Sequence, residues 1–186
     1  MKVFFGFLKQ YWKVVLVMMG IVGVLAYITY SFVSPNGRFG DAHNDLKMIE
    51  PESHASYTDL SGNIVSIRDF KGKPLIVNSW ASWMPFSQSE LVLLGDILKA
   101  YNGKISVLAI NRMEQKGTIQ GYLATYAIPS EIQILIDPTD HFYKTIGGYA
   151  MPETIFYNKE GEITFHKRGV LTEDELRTHV EALIAP

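Results

Sequence analysis

Twenty consecutive residues, Val14 to Val33, carry no charge. As a helix they would be about 30 Å long, the depth of a bilayer's hydrocarbon core. No polar face interrupts the run, which argues against a helix packed on a soluble core. Tyr11 and Trp12 stand at one end, and Tyr27, Tyr30 and Phe32 near the other, where interfacial aromatics belong. Lys2, Lys9 and Lys13 precede the run, and Asp41 and Asp45 follow it. The positive-inside rule then puts the N-terminus in the cytoplasm and the rest of the chain outside. The run is long for a secretory signal, and no clear A-x-A cleavage site follows it. The expected organisation is a short cytoplasmic N-terminus over 1–13, a transmembrane anchor over 14–33, a tether over 34–54 and one domain over 55–186. That domain would be periplasmic or extracellular, on a single-pass membrane protein.

The tether starts in the turn chemistry of Ser34-Pro35-Asn36-Gly37. Beyond it, short apolar runs alternate with helical patterns. Ile64 to Phe70 predicts a hairpin strand, and Pro74 to Trp80 a central strand covered on both faces. Leu91, Leu94, Ile97, Leu98 and Tyr101 recur at helical spacing over Ser87 to Tyr101, with Asn102-Gly103 as the stop. Strands follow at Ile105 to Ile110 and Ile132 to Ile136, with a helix at Thr118 to Tyr126 between them. Asp137-Pro138-Thr139-Asp140 predicts a turn opening a short helix. Thr154 to Tyr157 and Ile163 to Lys167 flank Lys159-Glu160-Gly161 as a hairpin. Thr172 and Glu175 form a capping box for a last helix with Leu176, Val180 and Leu183 inward. This order fits an α/β sandwich with a mixed sheet.

Beyond the first thirty residues the chain has 14 basic and 19 acidic residues, which argues against a nucleic-acid binder. It has no cysteine. Structural disulfides, zinc–thiolate sites and cysteine nucleophiles are therefore excluded.

The segment Trp80-Ala81-Ser82-Trp83-Met84-Pro85-Phe86-Ser87 resembles the active turn, W-A-x-W-C-x-x-C, of the TlpA/ResA/CcmG group of membrane-anchored thioredoxin-like proteins. Further pieces match in order: Tyr57 to Lys73 resembles the group's opening hairpin, and Pro74 to Trp80 the strand into the active turn. Met151-Pro152-Glu153-Thr154 resembles its cis-proline loop, and Asn158 to Ile163 the hairpin turn beyond. The resemblance implies a thioredoxin-like sandwich, a central mixed β-sheet flanked by helices, behind one N-terminal transmembrane helix. It also departs from the group. Met84 and Ser87 occupy the two cysteine positions, and no proline follows Glu90 in Glu90-Leu91-Val92. Thiol–disulfide exchange needs a thiolate attacking sulfur, and neither a thioether nor a hydroxyl supplies one.

The resemblance places Met84 at the exposed start of the first long helix and Ser87 one turn further in, free to satisfy a first-turn N–H. It makes the Met151–Pro152 bond cis and sets Met151 facing Met84. Trp80 is expected in the core. Trp83, Met84, Phe86, Met151 and Pro152 then form a Met- and aromatic-rich surface suited to varied apolar partners. Thioredoxin-like proteins bind extended chains along this loop, so the leading expectation is a non-catalytic binding or scaffolding module for a protein or extended peptide. One rival is a thiol-disulfide oxidoreductase or peroxide reductase, against which the cysteine count argues. Another is a Cu(I) carrier using Met84 and Met151, since thioethers are soft ligands. No cofactor and no metal site is expected otherwise. His43, His54, His141, His166 and His179 match no metal-binding spacing and are expected as scattered surface histidines. Glu90, at the group's helix glutamate, is expected to be solvated or locally paired. Ser87 has no G-x-S-x-G elbow for hydrolysis, and Asp137 to Asp140 lacks the ligands of a calcium loop.

Overall fold

The structure is a computed structural model that describes residues 55–185, together with helical residues 16, 18–24 and 27. The chain divides into two compact units, Met1–Met48 and Ile49–Pro186. In the first, residues 18–24 are helical and exposed. Among the described residues no helix is long and apolar enough to cross a membrane. Most of the 14–33 run, the tether over 34–54, His43 and His54 lie outside the described residues.

The second unit is built on one seven-stranded sheet. Its strands are β1 (Ser56–Asp59), β2 (Ile64–Ser66), β3 (Leu75–Trp80), β4 (Ser106–Arg112), β5 (Gln133–Asp137), β6 (Glu153–Tyr157) and β7 (Ile163–Arg168), in the order β2-β1-β5-β4-β3-β6-β7. The helices are α1 (Ser87–Tyr101), α2 (Lys116–Thr125), α3 (His141–Thr145) and α4 (Glu173–Ile184). Strands β3, β4 and β5 run parallel, while β6 is antiparallel to β3 and β7 to β6. The sheet is therefore mixed, as expected.

Both faces of the central strands are covered, and side-chain alternation sorts residues between two cores. Ile76 and Trp80 of β3, Val107 and Ala109 of β4 and Phe156 of β6 meet Leu91, Leu94, Ile119, Leu176 and Val180 from α1, α2 and α4. Their neighbours Leu75, Val77, Leu108, Ile110, Ile155 and Tyr157 meet Phe142 and Ile146 on the other face. Burial on both faces explains why these strands read as continuous apolar runs.

The strand expected over Ile64 to Phe70 is half strand. Ser66 accepts the Arg68 N–H, and the Asp69 carboxylate caps the Ser66 N–H, so Ile67–Phe70 winds into a 3-10 turn. Local capping outweighs a weak alternation there. Helix α1 runs over the expected residues and ends at left-handed Asn102 and Gly103, with φ of 33° and 81°. The Thr172–Glu175 capping box is present on α4.

Candidate functional site

The strand register gathers several loops at one end of the sheet. Trp80 lies opposite Asn111, Ser79 opposite Glu153, and Glu153 opposite Arg168. Residues 81–86 after β3, 113–114 after β4, 148–152 before β6 and 169–170 after β7 therefore emerge together. Gly169 N–H donates to the Pro152 carbonyl at 2.8 Å, tying two of them.

Trp80 is fully buried and packs its ring 5.4 Å from that of Tyr122. The chain then turns: Met84 N–H donates to the Ala81 carbonyl, and Ser87 N–H to that of Met84. Helix α1 begins at Ser87, so Ser87 is its first residue rather than one turn in. Its hydroxyl is buried and has no hydrogen-bond partner, which corrects the expected first-turn role. The side chain points inward, away from the N–H groups it would have capped.

Trp83 and Phe86 are exposed, at 59% and 49%. Met84 and Met151 are half-buried, and Pro152 is buried behind a cis Met151–Pro152 bond. Two exposed apolar side chains that the sequence reading did not single out share this end: Met113 at 57% and Tyr149 at 77%, the latter beneath the Arg168 guanidinium, 4.8 Å from ring centroid. Among the described residues no main-chain hydrogen bond engages Met151.

Beneath this surface lies a buried polar chain. Asn78 Nδ2–H donates to Thr154 Oγ1, and that hydroxyl donates to Glu90 Oε1, each at 2.9 Å. Glu90 is therefore neither solvated nor ion-paired at contact. Burial pushes its carboxyl up to about 8, against the opposing pull of the Thr154 hydroxyl and the Lys167 charge. Glu90 Oε2 and Asn78 Oδ1 have no partner. The polar interruption Asn78-Ser79 within an apolar strand was the signal available for this chain.

The loop before Pro152 is held by Glu153. Its Oε1 accepts the Tyr149 and Ala150 N–H groups at 2.8 and 2.9 Å, and its Oε2 pairs with His166 Nε2 at 2.7 Å. Burial raises this carboxyl, but His166 and the two N–H groups outweigh burial and leave it below the usual range. The Tyr143 hydroxyl donates to the Ala150 carbonyl at 2.9 Å. His166 is thus a buried partner and not a surface histidine. His179 is stacked on Phe165, ring centroids 3.6 Å apart, and burial lowers its pKa. Both depart from the scattered-surface reading because spacing along the chain carries no information about partners on other elements. Among the described residues no three His, Asp or Glu side chains group as metal ligands. A shallow groove of about 530 Å³ lies at the opposite end of the sheet, between Lys73, Lys99 and Glu131, away from these loops.

Residues 46–166 match the family described as AhpC/TSA. A thiol-disulfide oxidoreductase ResA of Halalkalibacterium halodurans is 25% identical over 179 residues, 96% of this chain and 97% of that one. Among solved structures, MTB dsbF in its mixed oxidized and reduced forms aligns with TM-score 0.65 at 23% identity, covering 70% of this chain and 96% of that one. A secreted Mycobacterium tuberculosis disulfide oxidoreductase homologous to E. coli DsbE aligns with TM-score 0.61 at 23% identity, covering 76% and 100%. The structural likenesses establish a thioredoxin-like fold.

Proposed function

We propose that this chain, which belongs to the thioredoxin-like AhpC/TSA family, is a membrane-tethered, extracytoplasmic binding module without redox catalysis. The observation that carries the reading is a cysteine-free turn that still presents Trp83 and Phe86 to solvent beside the Met151–Pro152 loop. The relatives' names describe thiol chemistry, and that chemistry needs a thiolate that this chain lacks. What remains at the site is shape. Trp83 and Phe86 are large apolar anchors, the residue type in which binding energy concentrates. The main chain of Met151 is open to an extended strand, whose affinity would come from main-chain hydrogen bonds. The ligand is therefore an extended, apolar protein segment seated across Trp83, Met84, Phe86, Met151 and Pro152. The uncharged run behind three lysines supports the tether and its orientation, and the likeness to a secreted oxidoreductase agrees with an external domain.

The test uses the full-length chain in mild detergent with carboxymethylated insulin B chain as an unfolded apolar probe. Binding is expected for the wild type and a loss of at least tenfold in affinity for the folded Trp83→Ala, Phe86→Ala double variant. Equal affinity in the two proteins would defeat the reading.

A further inference from the structure

The turn that carries Trp83 is held by a half-buried carboxylate just beyond β4. Glu114 Oε2 accepts the Ser82 main-chain N–H at 2.7 Å, and its Oε1 accepts the Ser82 hydroxyl. Asn111 Nδ2–H donates to the same Oε2 at 2.7 Å. Ser82 immediately precedes exposed Trp83, and Asn111 lies on β4 opposite Trp80. One side chain therefore fastens the turn after β3 to the end of β4, through three hydrogen bonds to an ionisable acceptor, the strong kind.

The backbone leading to Glu114 is set at a cost. Met113 has φ of 55°, the left-handed region that a non-glycine residue seldom adopts. Its N–H donates to the Asp137 carbonyl at 2.9 Å, which fixes the reversal. The reversal carries Glu114 back over Asn111 to Ser82. It also leaves Met113 more than half exposed at the same end of the sheet as Trp83. Strain of this kind persists where surrounding structure over-determines it, and it gathers at working sites.

The opposite wall is built in the same way. Glu153 fastens Tyr149 and Ala150 by their N–H groups, just before Met151 and Pro152. Gly148 is needed there, since a Cβ would stand 2.4 Å from the Tyr143 ring. Two of these loops are thus each pinned by one carboxylate, the turn after β3 by Glu114 and the loop before β6 by Glu153.

Resting on the binding reading above, we propose that Glu114 is a positioning residue for the ligand. It holds Ser82 so that Trp83 is presented in its bound orientation before the partner arrives. A preorganised loop spares the ordering cost that binding would otherwise carry. Glu114→Ala removes all three of these hydrogen bonds, whereas a glutamine could keep them, its oxygen accepting the Ser82 N–H and its amide donating to the Ser82 hydroxyl.

In the full-length chain in detergent, Glu114→Ala is expected to weaken binding of carboxymethylated insulin B chain about tenfold. Amide exchange at Ser82, whose N–H donates to Glu114, should quicken at least as much, while exchange within β3 and β4 stays as in the wild type. Ser82→Ala, which keeps its main-chain bond, should give about a threefold loss and carries the same test if Glu114→Ala fails to fold. Faster exchange at the turn with undiminished affinity would overturn the proposal, as would unchanged exchange. The Trp83→Ala, Phe86→Ala variant separates the two failures. Loss of binding there with full affinity in Glu114→Ala removes the latch alone, whereas retained binding there removes the binding face as well.

Discussion

Glu90→Gln should remove a pH dependence of stability that the buried carboxyl imposes. Glu90 is 2% exposed, and its carboxyl titrates near 8 in the folded chain against an ordinary value of 4.5. Below pH 4.5 both folded and unfolded chains hold the proton, so the group imposes no pH-linked cost. Between 4.5 and 8 the unfolded chain releases the proton while the folded chain keeps it. Stability then falls with rising pH, because the folded state binds more protons. Each pH unit in that window costs about 1.4 kcal/mol, so the cost reaches roughly 3 kcal/mol at pH 7 and levels near roughly 5 kcal/mol above pH 8. The amide of Glu90→Gln can still accept from Thr154 Oγ1 and has no proton to lose. Chemical denaturation of the full-length chain at pH 5, 6, 7 and 8, followed by tryptophan fluorescence, gives the difference between variant and wild type. Groups common to both proteins cancel in that difference. It should shift in favour of the variant by roughly 3 kcal/mol between pH 5 and 8. Parallel profiles across that range would show that Glu90 is solvated or charge-compensated in the fold and would refute the argument.

Insulin reductase and dithiol oxidase assays on the purified protein should stay at background, since no residue can form a thiolate; turnover in contamination-controlled protein would contradict this. The double change Met84→Cys, Ser87→Cys should yield a disulfide on mild oxidation, read as loss of two titratable thiols. The Ser87 N–H to Met84 carbonyl bond makes these positions the ends of a turn, within bridging range. Gly95→Ala should lower stability by about 1–3 kcal/mol in denaturant titration, because the new Cβ would stand 2.3 Å from the Pro129 ring. Ser87→Ala should raise stability by about 1 kcal/mol in the same assay, since it deletes a buried hydroxyl that has no partner.

The elements were legible where one pattern decides them. Leu91, Leu94 and Ile97 place the buried stripe of α1, and Asn102-Gly103 its end, within residues adjacent in sequence. Pro152 was legible as the cis position through its neighbours Met151 and Glu153. The polar side chains were not legible, because their partners are distant in the chain. Glu90 meets Thr154 sixty-four residues away, and Ser82 meets Glu114 thirty-two away. A glutamate in the first turn of a helix reads as a solvated acid favoured by the dipole. Only the pairing of β3 with β6, which sets Asn78 opposite Thr154, shows that this one lies over the sheet. Likewise Ile155 opposite His166 puts that histidine two residues across from Glu153, on a face that single-sequence spacing does not assign.

The orphaned polar atoms beneath the turn connect these observations. Ser87 Oγ, Glu90 Oε2, Asn78 Oδ1 and Ser79 Oγ are all buried without partners, on the first turn of α1 and the end of β3. A domain selected for stability alone would replace such groups with apolar ones, since each unsatisfied buried polar atom costs about 1–3 kcal/mol. A thiol at position 87 would have been cheaper to bury than the hydroxyl, being a weak donor that packs as a small hydrophobe. These polar groups lie where the resembling group carries its second cysteine, at position 87, and the chain has no cysteine there. None of these atoms reaches solvent, so they cannot act on a ligand directly. On the proposed reading a ligand meets only the surface above them, where Trp83 and Phe86 are exposed and Ser82 bonds to Glu114.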